Sequence, residues 1–302
     1  MRWTKKGRIF GPAGVHAQGP TVLSCDTFLR VYFATRPQPD ISLPIYIDVD
    51  ADDPSKIVGI NETPLLELGS RGSFDEFGIQ PTEVFEHEGE IWLYYTGWDR
   101  GTTVTYRLAI GLAKSRDGGK TFQKAYHGPV VDRTKDEPFL TTSPSILREE
   151  GRWHMWYGSG IGYHEAGGDK DEPQYIIKYA TSTNGIDWQR PNLACIGPKA
   201  DSESNTRPTV AKIDGAYHMW FTYRGALDYR GGKDSYRIGY ATSTDLVQWK
   251  RDDDSAGITL SEEGWDSAMV TYPYVIWVKG RYLMFYNGNG FGASGFGYAI
   301  GE

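Results

Sequence analysis

A carboxylate recurs in the loop leading into four of the five repeated segments of this chain, a few residues before a proline. The positions are Asp75 in GSFDEFGIQP, Glu137 in DEPFLTTSP, Asp201 or Glu203 in DSESNTRP, and Asp266 in GWDSAMVTYP. In the first segment the same loop offers only His16 and Gln18. Several carboxylates at one mouth are what chemistry on a glycosidic bond requires: one kept protonated to assist the leaving group, another ionised to activate water or attack. Asp266 and Glu137 are the expected acid/base pair, with Asp75 a third carboxylate that tunes or orients them. The local alternative for each is that it caps backbone N–H groups of its own loop. Groups suited to a sugar surround them. Arg207 and Tyr272 directly precede their prolines, Trp98, Tyr163, His164, Arg224, Asn287 and Asn289 fall in other loops, and Glu203 completes the set. Pyranose faces are apolar and their hydroxyls take bidentate partners, so aromatic planes beside Asn, Arg and carboxylate groups are the expected substrate contacts.

The prolines are the landmarks of a five-fold repeat. Pro20, Pro81, Pro144, Pro208 and Pro273 are spaced by 61, 63, 64 and 65 residues. Each opens a short apolar strand, followed by a tight turn such as Asp214-Gly215 and an aromatic-rich second strand; RPTVAKIDGAYHMWFTYRG from Arg207 is the clearest copy. Third strands follow at Tyr106 to Ser115, Tyr175 to Ser182 and Tyr236 to Ser243, then the turns RDGGKTF, TNGIDW and TDLVQW, each ending in an aromatic that opens a fourth strand. Second strands such as WHMWYG lack polar alternation, as in a sheet covered on both faces. The last residues, Gly295 to Glu302, match a third strand and stop, whereas Trp3 to Pro12 resembles a fourth strand. An N-terminal strand completing the last unit would close a ring and remove its edges. The expected fold is all-β: a five-bladed β-propeller forming a single domain, with blades at roughly 13–72, 73–136, 137–200, 201–265, and 266–302 plus 1–12. Its long loops, including 98–105, 159–174 and 222–235, gather on one face, and the site is expected there, at the axial mouth.

Composition narrows the partners. A net charge of -7 with a pI near 5.5 argues against nucleic acid and anionic membranes, and no run is long enough to span a bilayer. Cys25 and Cys195 read as reduced, packed thiols, and a cytoplasmic location is expected because the N-terminus has no apolar leader. Trp92, Trp156 and Trp220 are expected in the packing between sheets, and His154 and His218 in the core. The turn at Ser115 to Phe122 resembles the Asp-box of sialidases and reads as structural. No zinc-type spacing, phosphate-cradling loop or serine elbow is present, so no cofactor is expected, and no spacing demands a divalent ion in the axial channel. Nothing in the sequence specifies an oligomeric state.

With these motifs in place, the chain resembles the five-bladed propellers of the glycoside hydrolase superfamily that includes arabinanases, invertases, levansucrases and mannoside phosphorylases (families 43, 32, 68 and 130). The proline strand, the Met-Trp-Tyr type second strand, and the Tyr-Ala-Thr-Ser strand before Asn184-Gly185-Ile186-Asp187-Trp188 carry the resemblance along the whole chain. It implies a carbohydrate-active enzyme acting on a small saccharide or glycoside. In families 43 and 32 an Asp immediately before the first proline acts as base or nucleophile; here that position is Gly19, and its counterparts are Gln80, Ser143, Arg207 and Tyr272. None is acidic. Two further readings therefore stand beside a hydrolase. One is a phosphorylase or glycosyl-transfer enzyme holding phosphate with Arg207, Arg224 and His164 or Lys178; the other is a glycan-binding propeller that has lost its acids.

Overall fold

The structure, a computed structural model, describes residues 1–165, 170–225, 228–230 and 232–302. Parts of the loops expected over 159–174 and 222–235 lie outside the described residues. The chain is almost entirely β. Strand β1 (Trp3–Phe10) precedes four-stranded antiparallel units. The first holds β2 (Gln18–Ser24), β3 (Phe28–Gln38), β4 (Ile41–Asp50) and β5 (Ile57–Asn61), and the second β6 (Gly78–His87), β7 (Glu90–Arg100), β8 (Tyr106–Ser115) and β9 (Gln123–Lys124). The third holds β10 (Thr141–Glu149), β11 (Arg152–His164), β12 (Glu172–Ser182) and β13 (Gln189–Ile196), and the fourth β14 (Ser204–Ile213), β15 (Ala216–Arg224), β16 (Arg237–Ser243) and β17 (Lys250–Arg251). The last holds β18 (Thr271–Val278), β19 (Arg281–Asn287) and β20 (Phe296–Gly301), with β1 paired antiparallel to β20. One parallel bridge, Ser42 to Gly78, joins the first two units into an eight-stranded sheet. β11 and β12 run further than expected, so His164 pairs with Glu172 inside a long hairpin.

The apolar second strands explain where the core lies. Trp156 and Trp220 are fully buried, and Trp92 nearly so. The core divides into clusters that each combine two units: first with second, second with third, third with fourth, fourth with last, and last with first. Burying both faces of every sheet in this way removes the need for period-two polarity.

Short polar turns fix the outer strands. Asp117, Asn184 and Asp245 each accept two backbone N–H bonds through Oδ1 within their turns, at 2.7–3.0 Å. Burial alone would raise the Asp117 carboxyl, but bonds from Ser115, Thr121 and the backbone outweigh it and hold it well below the usual range. The turn is structural.

His154 and His218 lie in β11 and β15 with Nδ1 2.5 Å from the Tyr179 and Tyr240 hydroxyls. Burial depresses both imidazoles, and burial aided by Arg36 lowers His16 to about 4. An unfolded chain takes up these protons near pH 6.5, whereas the folded protein resists until lower pH. Stability from these groups is therefore complete above about pH 6.5 and is lost as pH falls towards 4. The urea midpoint should drop across that window by the equivalent of roughly 2 kcal/mol, and His16→Gln should flatten the drop.

Candidate functional site

The innermost strand of each unit carries an irregularity at its proline. Register slips between Gln18 and Thr21, Pro81 and Glu83, Thr142 and Ser145, Thr206 and Thr209, and Thr271 and Tyr274. At four of these bulges the residue before proline is left-handed: Gly19 at φ 70°, Ser143 at 49°, Arg207 at 49° and Tyr272 at 53°. For a non-glycine residue this costs about 1–2 kcal/mol, and such strain concentrates where a side chain must be aimed.

One of these side chains ties the innermost strands together. Arg207, 1% exposed, donates from Nη1 to the Pro81 carbonyl at 3.0 Å, and from Nη2 to the Pro20 carbonyl at 3.2 Å and Thr21 Oγ1 at 2.8 Å. Glu83, also buried, accepts from the Tyr274 hydroxyl at 2.7 Å and the Ile146 N–H at 3.1 Å. Together these bonds reach β2, β6, β10, β14 and β18. Burial pushes the Glu83 carboxyl up and the Arg207 guanidinium down to about 10, and each charge partly offsets the cost for the other.

The remaining bulges open into a cavity of about 320 Å³. Gln18, Gln80, Ser143, Thr206 and Tyr272 reach it from all five innermost strands. Trp98 and Ser42 form one side, where the indole N–H donates to Ser42 Oγ at 2.6 Å. Tyr106, Tyr175, Tyr229, Tyr236 and Phe291 form another. Arg224 backs this aromatic wall, its guanidinium 3.8 Å from the Tyr229 ring centre, with Nη2 donating to the Pro173 carbonyl at 2.7 Å. A hydrogen-bonded chain crosses the cavity: Arg36 Nη2 donates to Gln18 Oε1 at 2.7 Å, and Gln18 Nε2 to the Tyr272 hydroxyl at 3.3 Å. Burial pushes the Tyr272 phenol up to about 12, so it keeps its proton and has it free to donate. Asp40 is the one carboxylate among the described lining residues, 2.7 Å from Arg100.

No family model matches the chain. Two Mycobacterium tuberculosis proteins, named "Uncharacterized protein MT1551" and "Uncharacterized protein Rv1502", are each 35% identical over all of both chains. The chain belongs to their family. The "1,2-beta-oligomannan phosphorylase" of Thermoanaerobacter sp. (strain X514) is 31% identical over 145 residues, 46% of this chain and 43% of that protein. Among solved structures, one named "Glycoside hydrolase" has a TM-score of 0.75 at 18% identity, covering 98% of this chain and 90% of the other. A thermostable family-43 glycoside hydrolase has a TM-score of 0.68 at 17% identity, covering 97% and 91%. The fold is the one these glycoside hydrolases share.

Of the residues expected from the sequence, the structure brings Tyr272 and Trp98 to the cavity. The expected acid/base set lies outside this cavity's lining. Asp75 accepts from the Tyr95 hydroxyl at 3.0 Å and faces Lys124 at 2.6 Å; Asp266 accepts from Tyr286 at 3.0 Å and faces Lys5 at 2.7 Å. Glu137 accepts from Tyr157 at 2.8 Å and faces Arg190 at 2.8 Å and Lys178 at 3.2 Å. Glu203 faces Arg251 at 2.6 Å, where Phe221 replaces the tyrosine and lies under the guanidinium. In each case a cation from another strand of the same sheet holds the carboxylate, and in all but Glu203 a second-strand tyrosine does so as well. None of the four lies among the residues described as lining the cavity. Lys178, bound to Glu137 and Asn192, is likewise outside the described lining.

Arg207 and Arg224, expected as substrate contacts, lie outside the described lining, one tying the innermost strands together and the other behind the aromatic wall. Asn287 hooks neighbouring segments, accepting from the Gly19 N–H at 2.7 Å and donating to the Ala17 carbonyl at 2.7 Å. Asn289 accepts from the Ala268 and Met269 N–H groups at 2.8 and 3.0 Å, stapling its loop. His164 sits in the β11–β12 hairpin, away from the described lining. Among the described residues no cluster of His, Cys, Asp or Glu could hold a metal ion.

Arg36 and Arg230 lie outside the sequence-derived set. A signal for Arg36 exists: in FATR it takes the repeat position that Trp98, Arg224 and Asn289 occupy in other units. Gly19 explains the absent carboxylate before the first proline. The backbone there is left-handed, and a Cβ would sit 2.5 Å from Gln80 Nε2, so a side chain at this position needs the Gln80 amide to move.

Proposed function

We propose that the chain acts on a glycosidic bond, in the cavity lined by Tyr272, Trp98, Gln80 and Ser143. The observation that carries this reading is that all five innermost strands converge on one recess combining an aromatic wall with hydroxyl, amide and guanidinium groups, in the fold of the glycoside hydrolases. The units are five blades of a closed propeller, with the boundaries expected from the sequence. Support for closure comes from the β1–β20 pairing and from the cluster packing the last unit on the first. Asp40, paired with Arg100, acts as the base that activates the attacking nucleophile, and the Tyr272 hydroxyl donates to the sugar. The partner is a small saccharide. Free Cys25 and Cys195 thiols suit a reducing, cytoplasmic setting.

The test is a turnover screen with aryl glycosides and β-1,2-linked mannosides, each with and without inorganic phosphate, on wild type, Asp40→Asn and Tyr272→Phe. Turnover by the wild type, reduced on the order of 10²-fold or more in Asp40→Asn, is expected. Turnover that survives both substitutions would place the chemistry elsewhere.

A further inference from the structure

Four of the five outer strands are guarded against pairing with another chain, and one is not. An outer strand presents a row of unpaired N–H and C=O groups, which natural sheets protect with charge, proline or brevity. β1 carries Lys5, Lys6 and Arg8, and β13 carries Arg190 and Pro191. β9 and β17 are two residues long and include lysine. β5 reads Ile-Val-Gly-Ile-Asn, with neither charge nor proline, and only a register slip opposite Asp48 and Val49 interrupts it. Among the described residues it pairs with β4 alone. Val58 and Ile60, two residues apart, are 60% and 56% exposed.

The residues around β5 are complementary to themselves. They run Lys56-Ile57-Val58-Gly59-Ile60-Asn61-Glu62, basic at one end and acidic at the other. When a second copy is laid antiparallel with Gly59 on the twofold axis, Lys56 falls opposite the partner's Glu62 and Val58 opposite the partner's Ile60. Symmetry makes each match occur again on the other side of the axis. Opposite charges and apolar side chains facing each other across a ladder stabilise it, whereas an in-register parallel arrangement would set like charges side by side. Gly59 meets its own copy on the axis, where no side chain holds the backbones apart. Lys56 and Glu62 are both exposed, and the contact of Lys56 with Asp53 at 3.3 Å is a surface pair that contributes little and yields readily.

We infer that β5 is the contact through which two copies of this chain associate, as an antiparallel strand pair that continues one sheet across a twofold axis. The inference is independent of the proposed glycoside chemistry, and its test does not read activity.

Sedimentation velocity at low ionic strength, from low to high micromolar protein, tests this on wild type, Ile60→Lys, Lys56→Glu and Glu62→Lys. Wild type is expected to pass reversibly from monomer to dimer across that range. Ile60→Lys, at an exposed position in the middle of the contact, should weaken association about 10-fold or more while leaving the melting temperature of dilute protein unchanged. Each charge variant sets like charges at both crossings and should weaken self-association about 10-fold. Mixed in equal amounts, Lys56→Glu and Glu62→Lys regain opposite charges at both crossings, and their heterodimer should match wild type within about threefold. A protein that stays monomeric throughout, a dimer insensitive to Ile60→Lys, or a mixture that associates no better than its components overturns the inference.

Discussion

Replacing Glu137 with glutamine should lower the melting temperature by on the order of 5–10 °C while leaving the specific activity of the folded protein within about twofold. Glu137 is 2% exposed, accepts from Tyr157 and Ser159, and faces two cations, Lys178 and Arg190, that are themselves largely buried. Removing its charge leaves both cations without a counter-ion, and breaking a buried pair from one side costs roughly 3–5 kcal/mol. A catalytic acid shows the opposite signature, with turnover collapsing while stability holds or improves. Thermal melts read beside specific activity separate the two. An unchanged melting temperature with lost turnover would return Glu137 to the reacting centre.

Arg207→Met should be as costly, about 3–5 kcal/mol in urea unfolding, with the cavity still competent to bind. The substitution roughly preserves length but removes three hydrogen bonds and leaves Glu83 buried without its neighbouring cation. Because the cost arises from an uncompensated charge, the double variant Arg207→Met/Glu83→Leu should recover part of it, giving a coupling of about 1–3 kcal/mol in a double-mutant cycle. A single variant within about 0.5 kcal/mol of wild type would rule out these bonds as a source of stability.

Much of the architecture was legible because it repeats. The strand at Tyr106–Ser115 has the expected limits, and the aromatics Phe122, Trp188 and Trp249 do lead directly into β9, β13 and β17. The carboxylates repeat for the same physical reason. Asp75, Glu137, Glu203 and Asp266 recur because in four of the five units the entry loop is tied through a carboxylate to a cation on an outer strand, a local requirement. A shared site demands different groups from each unit. Its members are found where equivalent positions diverge: Gly19, Gln80, Ser143, Arg207 and Tyr272 before the prolines, and Arg36, Trp98, Arg224 and Asn289 after the second strands. Which of those point inward depends on bulge geometry and on long-range partners such as Pro20 and Pro81 for Arg207, which no local pattern encodes.

The bonds of Arg207 and Glu83 also make the five innermost strands depend on one another. Because they reach β2, β6, β10, β14 and β18, pulling any one of these away leaves a buried charge stranded among the rest, so local opening of a single unit is expected to cost nearly as much as disturbing its neighbours.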